Sequence, residues 1–223
     1  EINTDIISQS YPKYDSTAPK VSIIILNYNG EKYLKKLFDS IDESTNYPNY
    51  EVIVVENDST DDSIDIICEY KEKLDLVVLK NRINKTYAQA YNDAIEYATG
   101  EYVIFMDNDI ELLDGWLNHL IQTAQENENV GVVGAKLIYP DCSNSINNKG
   151  KSYKLQHTSV KFIQSGKYIL PYNRDDGRVY RYNEHIIEEV PAVNGSLMLI
   201  RRDVFDEVGG FDEEYIYGYE AVD

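Results

Sequence analysis

Short apolar runs and segments of helical periodicity alternate through the first half of the chain, and this alternation limits the fold more than any other feature. The four runs, each bounded by polar or turn-forming residues, occupy residues 21–26, 50–55, 76–79 and 102–106. Continuous apolar runs of this length are typical of strands buried on both faces of a parallel sheet. Between them, apolar residues recur at helical spacing, as in the alanine-rich segment 87–98 that Gly100 closes. The sequence therefore predicts an α/β fold with a mainly parallel central sheet flanked by helices.

A cluster of polar residues follows each predicted strand. The clusters cover residues 27–29, 56–58, 81–84 and 107–109. In sheets built from βαβ units, ligands bind at the carboxyl ends of the strands, which share one edge of the sheet. We therefore expect the four clusters to contribute to a single binding site.

The last of these clusters, Asp107-Asn108-Asp109, carries two carboxylates one residue apart directly after an apolar strand. If the chain stays extended, both carboxylates point the same way and suit a hard divalent cation such as Mg²⁺ or Mn²⁺, with a diphosphate completing its shell. The alternative interpretation is a solvated acidic turn. The position among three other polar strand ends favours a site for a metal ion and a nucleotide.

The charge of the chain restricts its partners. The formal net charge is −18, from 39 acidic and 21 basic residues, and such a surface repels a phosphate backbone. We therefore expect no nucleic-acid binding, although a metal ion can neutralise one diphosphate locally. No run approaches the roughly 18 apolar residues of a membrane span. The sequence predicts no transmembrane segment and leaves peripheral association with a membrane open.

The thiols and the first residues bear on location. Cys68 and Cys142 lack the spacing of a metal site and are interpreted as buried or half-buried thiols in a reducing compartment. Residues 1–20 form a polar lead-in without the basic and apolar regions of a secretion signal. Both observations predict a cytoplasmic protein.

The alternation of strands and helices predicts two halves after this lead-in. Residues 21–138 form the first α/β half, which ends with a helix over 115–127 and a strand over 130–138. Residues 139–223 form the second half of the same domain. Within it, the polar segment 140–185 predicts short strands or a functional flap, because it is too long for a plain connection. A strand over 190–200 and a helix over 202–208 follow.

Four ordered motifs carry a resemblance to a known family. The segments VSIIILNYNGEKYLKKLFDSI, YEVIVVENDSTDDS, GEYVIFMDNDIEL and VNGSLMLIRRDVFDEVGGFDEEY resemble those of the family 2 glycosyltransferases, and the rhamnosyltransferase-like branch is the most similar. The resemblance implies a GT-A fold, in which a Rossmann-like nucleotide-sugar-binding half precedes a smaller mixed acceptor-side region. It also implies a metal-dependent inverting enzyme that uses Mn²⁺ or Mg²⁺. Such an enzyme moves a sugar from a UDP- or dTDP-linked donor to a hydroxyl of a glycan or glycoconjugate.

The same resemblance implies roles for individual residues. Asp109 is the main metal ligand, Asp107 touches the ribose or the metal ion, and Asn194-Gly195 borders the donor sugar and the acceptor. Thr86 stands where the family normally has glycine, which puts the shape of that loop in question. The implied nucleotide-binding residues are Asn27, Tyr28, Asn29, Glu56, Asn57, Asp58, Arg82, Tyr87, Asp107 and Asn108.

The C-terminal motif departs from the family pattern. An inverting transfer needs a carboxylate to take the proton of the acceptor hydroxyl, and relatives supply it from a Glu-Asp pair. This chain has Glu220 followed by Ala221, so Glu220 or Asp223 is the candidate base. The alternative is a nucleotide-sugar-binding domain with impaired catalysis. The chain ends where relatives continue with a further helix, which predicts a truncated chain or an unusually short member. A Rossmann dehydrogenase is disfavoured, because no GxGxxG follows the first strand.

Overall fold

The computed structural model describes residues 11–140, 153–180 and 186–215. These residues form two compact units. The first unit runs to Val133 and resumes at Gly195, whereas the second unit begins at Gly134 and ends at Asn194. The first unit thus includes residues 195–215, which the sequence-based division assigned to the second half. The elements in chain order are β1 (Val21–Asn27), α1 (Glu31–Ser44), β2 (Tyr50–Glu56), α2 (Ser63–Tyr70), β3 (Val77–Lys80), α3 (Tyr87–Ile95), β4 (Tyr102–Asp107), α4 (Trp116–Glu126), β5 (Val132–Gly134), β6 (Leu137–Ile138), β7 (Tyr153–His157), β8 (Val160–Ser165), β9 (Tyr168–Asn173), β10 (Val179–Tyr180), β11 (Leu197–Arg201) and α5 (Arg202–Val208).

A six-stranded sheet in the order β3-β2-β1-β4-β11-β5 forms the centre of the first unit. Strands β1, β2, β3 and β4 pair in parallel, and β11 runs antiparallel to β4. The inner residues of β1, β2 and β4 are almost completely buried, as their continuous apolar sequences require. The predicted α/β fold with a mainly parallel sheet flanked by helices is confirmed.

Aromatic rings join α3 to β4 in the core of the first unit. The ring of Tyr91 lies 4.8 Å from that of Phe105, and Phe105 also contacts Phe205 at 5.4 Å and Phe211 at 4.9 Å. The fully buried hydroxyl of Tyr91 donates a hydrogen bond of 2.9 Å to the carbonyl oxygen of Met106. Buried hydroxyl groups are almost always hydrogen-bonded, and this bond holds α3 against the end of β4 beside Asp107.

Two predicted strands and the predicted burial of one thiol differ from what the structure shows. The strand expected over 130–138 is interrupted, because β5 joins the central sheet whereas β6 joins a separate sheet with β7. The strand expected over 190–200 begins only at Leu197. Cys68 was expected to be buried or half-buried, but it is exposed, because Ile67 and Tyr70 occupy the buried face of α2.

The second unit contains the short strands predicted for the irregular segment. Strands β6, β7 and β10 form a three-stranded sheet in the order β10-β7-β6. Strands β8 and β9 form a separate antiparallel hairpin. Among the described residues, no helix has both the length and the apolar character required to cross a bilayer.

Glu51 organises the amino-terminal edge of the central sheet. Its carboxylate accepts hydrogen bonds from Lys20 Nζ at 2.6 Å, Ser22 Oγ at 2.6 Å and the Thr99 backbone N–H at 2.7 Å. The Ser22 hydroxyl is fully buried and also accepts a bond from the Gly100 N–H. Burial alone would raise the pKa of Glu51, but the hydrogen bonds from Lys20, Ser22 and Thr99 outweigh it and lower the pKa.

We expect Glu51→Gln to lower the free energy of unfolding by about 1–3 kcal/mol at neutral pH, because bonds to a charged acceptor are lost. The lowered pKa means that the unfolded state takes up the proton first as the pH falls. The stabilisation is therefore complete above the ordinary value of about 4.3 and is lost as the pH falls through the folded-state value. Urea titrations across this range measure the effect. The exposed Glu69 is the control, and Glu69→Gln should change stability by less than about 0.5 kcal/mol. Equal losses in both variants would contradict the prediction.

Candidate active site

The register of the central strands brings three of the predicted polar clusters to one edge. Asn27 at the end of β1 is the parallel partner of Glu56 in β2, and Leu26 is the partner of Asp107 in β4. The three clusters therefore begin at the same edge of the sheet, and their first residues differ by at most one position in register.

A hydrogen bond between two amide side chains joins β1 to the turn after β4. Asn108 Nδ2 donates to Oδ1 of the buried Asn27 at 2.8 Å. Gly30 lies directly beneath this bond, since a Cβ at that position would stand 2.2 Å from each of the two bonded atoms. The turn that follows β1 therefore requires glycine for space, not for backbone conformation.

Ser59 ties the loops after β1 and β2 together. Its hydroxyl accepts bonds from Asn27 Nδ2 at 3.2 Å and from the Asn29 N–H at 3.0 Å. Its own N–H donates to Glu56 Oε1 at 2.7 Å. Asn29 and Asp58 adopt left-handed backbone conformations with φ of 52° and 66°, which asparagine and aspartate tolerate better than most residues. The buried Glu56 thus shapes its own loop.

The side chain of Asn57 forms hydrogen bonds with the loop that follows β3. The amide nitrogen donates to Asn84 Oδ1 at 2.7 Å and to the Lys85 carbonyl at 3.0 Å. The amide oxygen accepts from Asn81 Nδ2 at 2.8 Å and from the Lys85 N–H at 3.0 Å. This buried residue therefore holds the loop after β3 against the end of β2, as a structural support beside the site.

Thr86 begins α3 as a helix cap, although the family normally has glycine here. Its hydroxyl accepts a bond from the Gln89 N–H, and the Gln89 side chain accepts one from the Thr86 N–H. This reciprocal pair is a capping box, which satisfies two amide groups that the first turn of the helix leaves free. The φ of −64° at Thr86 suits any L-residue, so this substitution needs no unusual loop shape.

Asp107 and Asp109 supply two carboxylates at the end of β4. Asp107 is half-buried and Asp109 is exposed. Burial raises the pKa of Asp107, the charge of Asp109 raises it further, and a hydrogen bond with Ser196 opposes both. Within residues 11–140, 153–180 and 186–215, no three His, Cys, Asp or Glu side chains form a metal-binding group. The carboxylates of Asp107 and Asp109 nevertheless suit a divalent cation such as Mg²⁺ or Mn²⁺, because phosphate oxygens and water can fill the rest of its coordination shell.

The remaining predicted residues differ in exposure. Tyr28, Asp58 and Arg82 are exposed beside the strand ends, so their side chains are accessible to a ligand. The Tyr87 hydroxyl donates to the Gly195 carbonyl at 3.4 Å, and its ring contacts that of Tyr91.

Asn194 belongs to the second unit, where the buried His157 holds it. The Asn194 N–H donates to His157 Nε2 at 3.2 Å, and His157 Nδ1 lies 3.0 Å from Asn173 Oδ1. Burial lowers the pKa of His157, which keeps the ring neutral and able to accept this bond. The predicted bases Glu220 and Asp223, together with Ala221, lie outside the described residues.

Sequence reasoning did not single out Ser59 or His157. Ser59 carries a weak signal, as a hydroxyl residue in the polar loop that follows a buried strand. His157 carries none, because it lies in a segment without clear periodicity.

The comparison with protein families agrees with this geometry. The profile described as Glycosyl transferase family 2 matches residues 22–209. The chain belongs to this family. The O-antigen biosynthesis protein RfbC of Myxococcus xanthus is 32% identical to this family 2 chain over 201 residues, which are 88% of this chain and 15% of RfbC. The GalNAc(5)-diNAcBac-PP-undecaprenol beta-1,3-glucosyltransferase of Campylobacter jejuni is 29% identical over 74% of this chain and 55% of its own length. The chain thus spans only part of each relative, and the rhamnosyltransferase-like branch stays a prediction.

Solved structures share the fold of this family 2 chain. Mannosyltransferase PcManGT from Pyrobaculum calidifontis, in complex with GDP-Man and Mn²⁺, superposes with a TM-score of 0.64 at 20% identity. The match covers 98% of this chain and 55% of that one. TarS of S. aureus in complex with UDP-GlcNAc gives a TM-score of 0.60 at 24% identity and covers 91% of this chain and 51% of that one. The predicted GT-A fold is confirmed.

We expect Gly30→Ala to break the bond between Asn27 and Asn108, because the new methyl group and the two bonded atoms cannot share the same space. Overpacking of this kind lowers the free energy of unfolding by about 1–3 kcal/mol. Gly131→Ala is the control, since a Cβ there would stand 3.2 Å from a methyl group of Val204, a tight contact that a shift of a few tenths of an ångström relieves. Urea unfolding of both variants measures the difference, and a similar loss in each would show that Gly30 has no special constraint.

Proposed function

We propose that this chain is the donor-binding part of a metal-dependent inverting glycosyltransferase. It uses a UDP- or dTDP-linked sugar and transfers the sugar to a hydroxyl of a glycan or glycoconjugate. The observation that carries the proposal is the bond between Asn27 and Asn108, which fixes the turn between Asp107 and Asp109 against the end of β1. The turn therefore presents its two carboxylates from a rigid edge instead of a mobile acidic loop.

The choice of donor has support from proteins of similar fold. TarS has been solved with UDP-GlcNAc, and PcManGT with GDP-Man and Mn²⁺. We assign a uridine or thymidine nucleotide to this chain, the latter on the sequence resemblance alone. In this proposal the base and ribose contact the exposed Tyr28 and the loop of Asn29, while Asp58 and Arg82 border the pocket.

The proposed cation is held by Asp109, with Asp107 as a second ligand. A bound divalent cation would offset the negative charge of the diphosphate leaving group. The chain's own residues hold the nucleotide in place and orient it. Tyr87 supports the backbone at Gly195, and His157 fixes Asn194, so each residue proposed to border the donor sugar and acceptor has a defined partner.

We expect Asp109→Asn to weaken the metal-dependent part of donor binding at least tenfold, because a neutral amide is a poorer ligand for a divalent cation. A thermal-shift screen of UDP- and dTDP-sugars with and without Mn²⁺ measures it, since a ligand of the folded state raises the Tm. Asp114→Asn, at an exposed aspartate after the same strand, is the control and should bind as the wild type does. Intact metal-dependent binding and turnover in Asp109→Asn would refute the assignment.

A second candidate function follows from Ala221. If neither Glu220 nor Asp223 serves as the base, the chain holds a nucleotide sugar but transfers it slowly. Ala221→Asp should then raise the transfer rate by roughly a hundredfold or more, the contribution typical of a general base. Val222→Asp adds the same charge one residue later and serves as the control. Unchanged transfer in Ala221→Asp, together with a loss of transfer in Glu220→Gln, would identify Glu220 as the base and exclude this candidate.

A further inference from the structure

The hairpin of β8 and β9 exposes apolar side chains on both of its faces. All ten residues from Lys161 to Leu170 are exposed. The exposed fractions of its large apolar side chains are 43% for Phe162, 48% for Ile163, 61% for Tyr168, 71% for Ile169, 45% for Leu170 and 48% for Tyr172. A two-stranded hairpin is marginally stable alone in water, and contiguous apolar exposure marks a surface that another molecule covers.

The strand register assigns these side chains to opposite faces. Ile163 pairs with Leu170 on one face, whereas the pairs of Phe162 with Pro171 and Gln164 with Ile169 lie on the other. A shallow concavity of about 360 Å³ lies against Ile163, Leu170, Pro171 and Tyr172. A protein or glycan docked on one face would leave the other in water. A layer that surrounds the hairpin would cover both.

The charge of the hairpin opposes that of the whole chain. Residues 160–173 contain two lysines and no acid, although the complete chain has a net charge of −18. Beyond the hairpin, Asp175 is paired with Arg178 at 3.1 Å and Glu188 is paired with Arg174. Both charged side chains of the hairpin itself are therefore cationic.

The lysines flank the apolar pairs. Lys161 precedes Phe162 at the base of the hairpin, and Lys167 lies in its turn, with Nζ 5.2 Å from the centre of the Tyr168 ring. Long lysine stems lie along apolar surface while the ammonium group stays in a polar layer, and tyrosine is enriched where a membrane meets water. The apolar side chains between Lys161 and Lys167 suit contact with acyl chains, and the two ammonium groups suit contact with the anionic headgroups above them.

We propose that this hairpin is a membrane-binding element that lies at the boundary of headgroups and acyl chains in an anionic bilayer. Its apolar side chains enter the outer 5–10 Å, roughly the depth that interfacial segments reach, and Lys161 and Lys167 contact lipid phosphates. The proposal goes beyond the glycosyltransferase function and does not use Asp107 or Asp109, the carboxylates proposed to hold the metal ion.

The test is sedimentation of the full chain with vesicles of phosphatidylglycerol and phosphatidylcholine at 3:7, compared with phosphatidylcholine alone. We expect the chain to bind the anionic vesicles at least tenfold more tightly than the neutral ones. Added salt should weaken the binding to anionic vesicles. The double variant of Lys161→Gln and Lys167→Gln should lose at least tenfold on anionic vesicles, since each lysine near such a surface contributes roughly fivefold. The double variant of Tyr168→Ser and Ile169→Ser should lose binding to both kinds of vesicle.

The controls are Tyr97→Ser and Val208→Ser, whose side chains are 60% and 68% exposed in the first unit. They should bind vesicles as the wild type does. All four hairpin positions are exposed, so unchanged thermal unfolding is expected and verifies the fold. Absent binding of the wild type to anionic vesicles would overturn the proposal, and so would equal losses in hairpin and control variants. Two other outcomes of the hairpin variants, each with vesicle binding unchanged, would also overturn the proposal. A change in the sedimentation of the chain without vesicles would identify a second copy of the chain as the occupant of the hairpin. A change in the binding of a soluble oligosaccharide would identify a glycan.

Discussion

The parallel pairing of β1 with β2 on one side and β4 on the other is the constraint on which the rest of the structure depends. Apolar side chains are buried on both faces of these strands, and a slip in register would draw the polar residues at the strand ends into the apolar core at a cost in free energy. That register brings Asn27, Glu56 and Asp107 to one edge. The polar groups meet there because of the buried strands that precede them.

Amide and hydroxyl groups then make this edge rigid. Asn27, Ser59 and Asn108 form a continuous chain of hydrogen bonds from the end of β2 across β1 to the turn after β4. The Tyr91 hydroxyl adds a bond from α3 to the carbonyl of Met106. A shift of one strand end would break several of these bonds at once. The two carboxylates after β4 are consequently positioned before any ligand arrives, and preorganisation of this kind reduces the entropic cost of binding.

The sequence was sufficient to predict the parallel strands and their polar ends, because both depend on local periodicity. It was insufficient where tertiary pairing decides. The segment 130–138 is apolar except for Lys136, yet its two ends join different sheets, a division that depends on strand pairing. Thr86 replaces the glycine of the family pattern, which put the loop shape in question, but its hydrogen bonds with Gln89 make it the N-cap of α3. His157 acts through neighbours distant in sequence, so the residues around it contained no signal.

The adjacency of β5 and β11 in the central sheet has an evolutionary consequence. The segment Gly134–Asn194 leaves the sheet at the end of β5 and returns just before β11, so its two ends are held close together by neighbouring strands. Insertions between such ends leave the surrounding strand register unchanged. Recombination could therefore exchange this segment for one of another length or chemistry while the edge formed by the ends of β1, β2 and β4 is inherited intact. The segment Gly134–Asn194 could then diversify while the central sheet is conserved, with no compensating change in the core of the first unit.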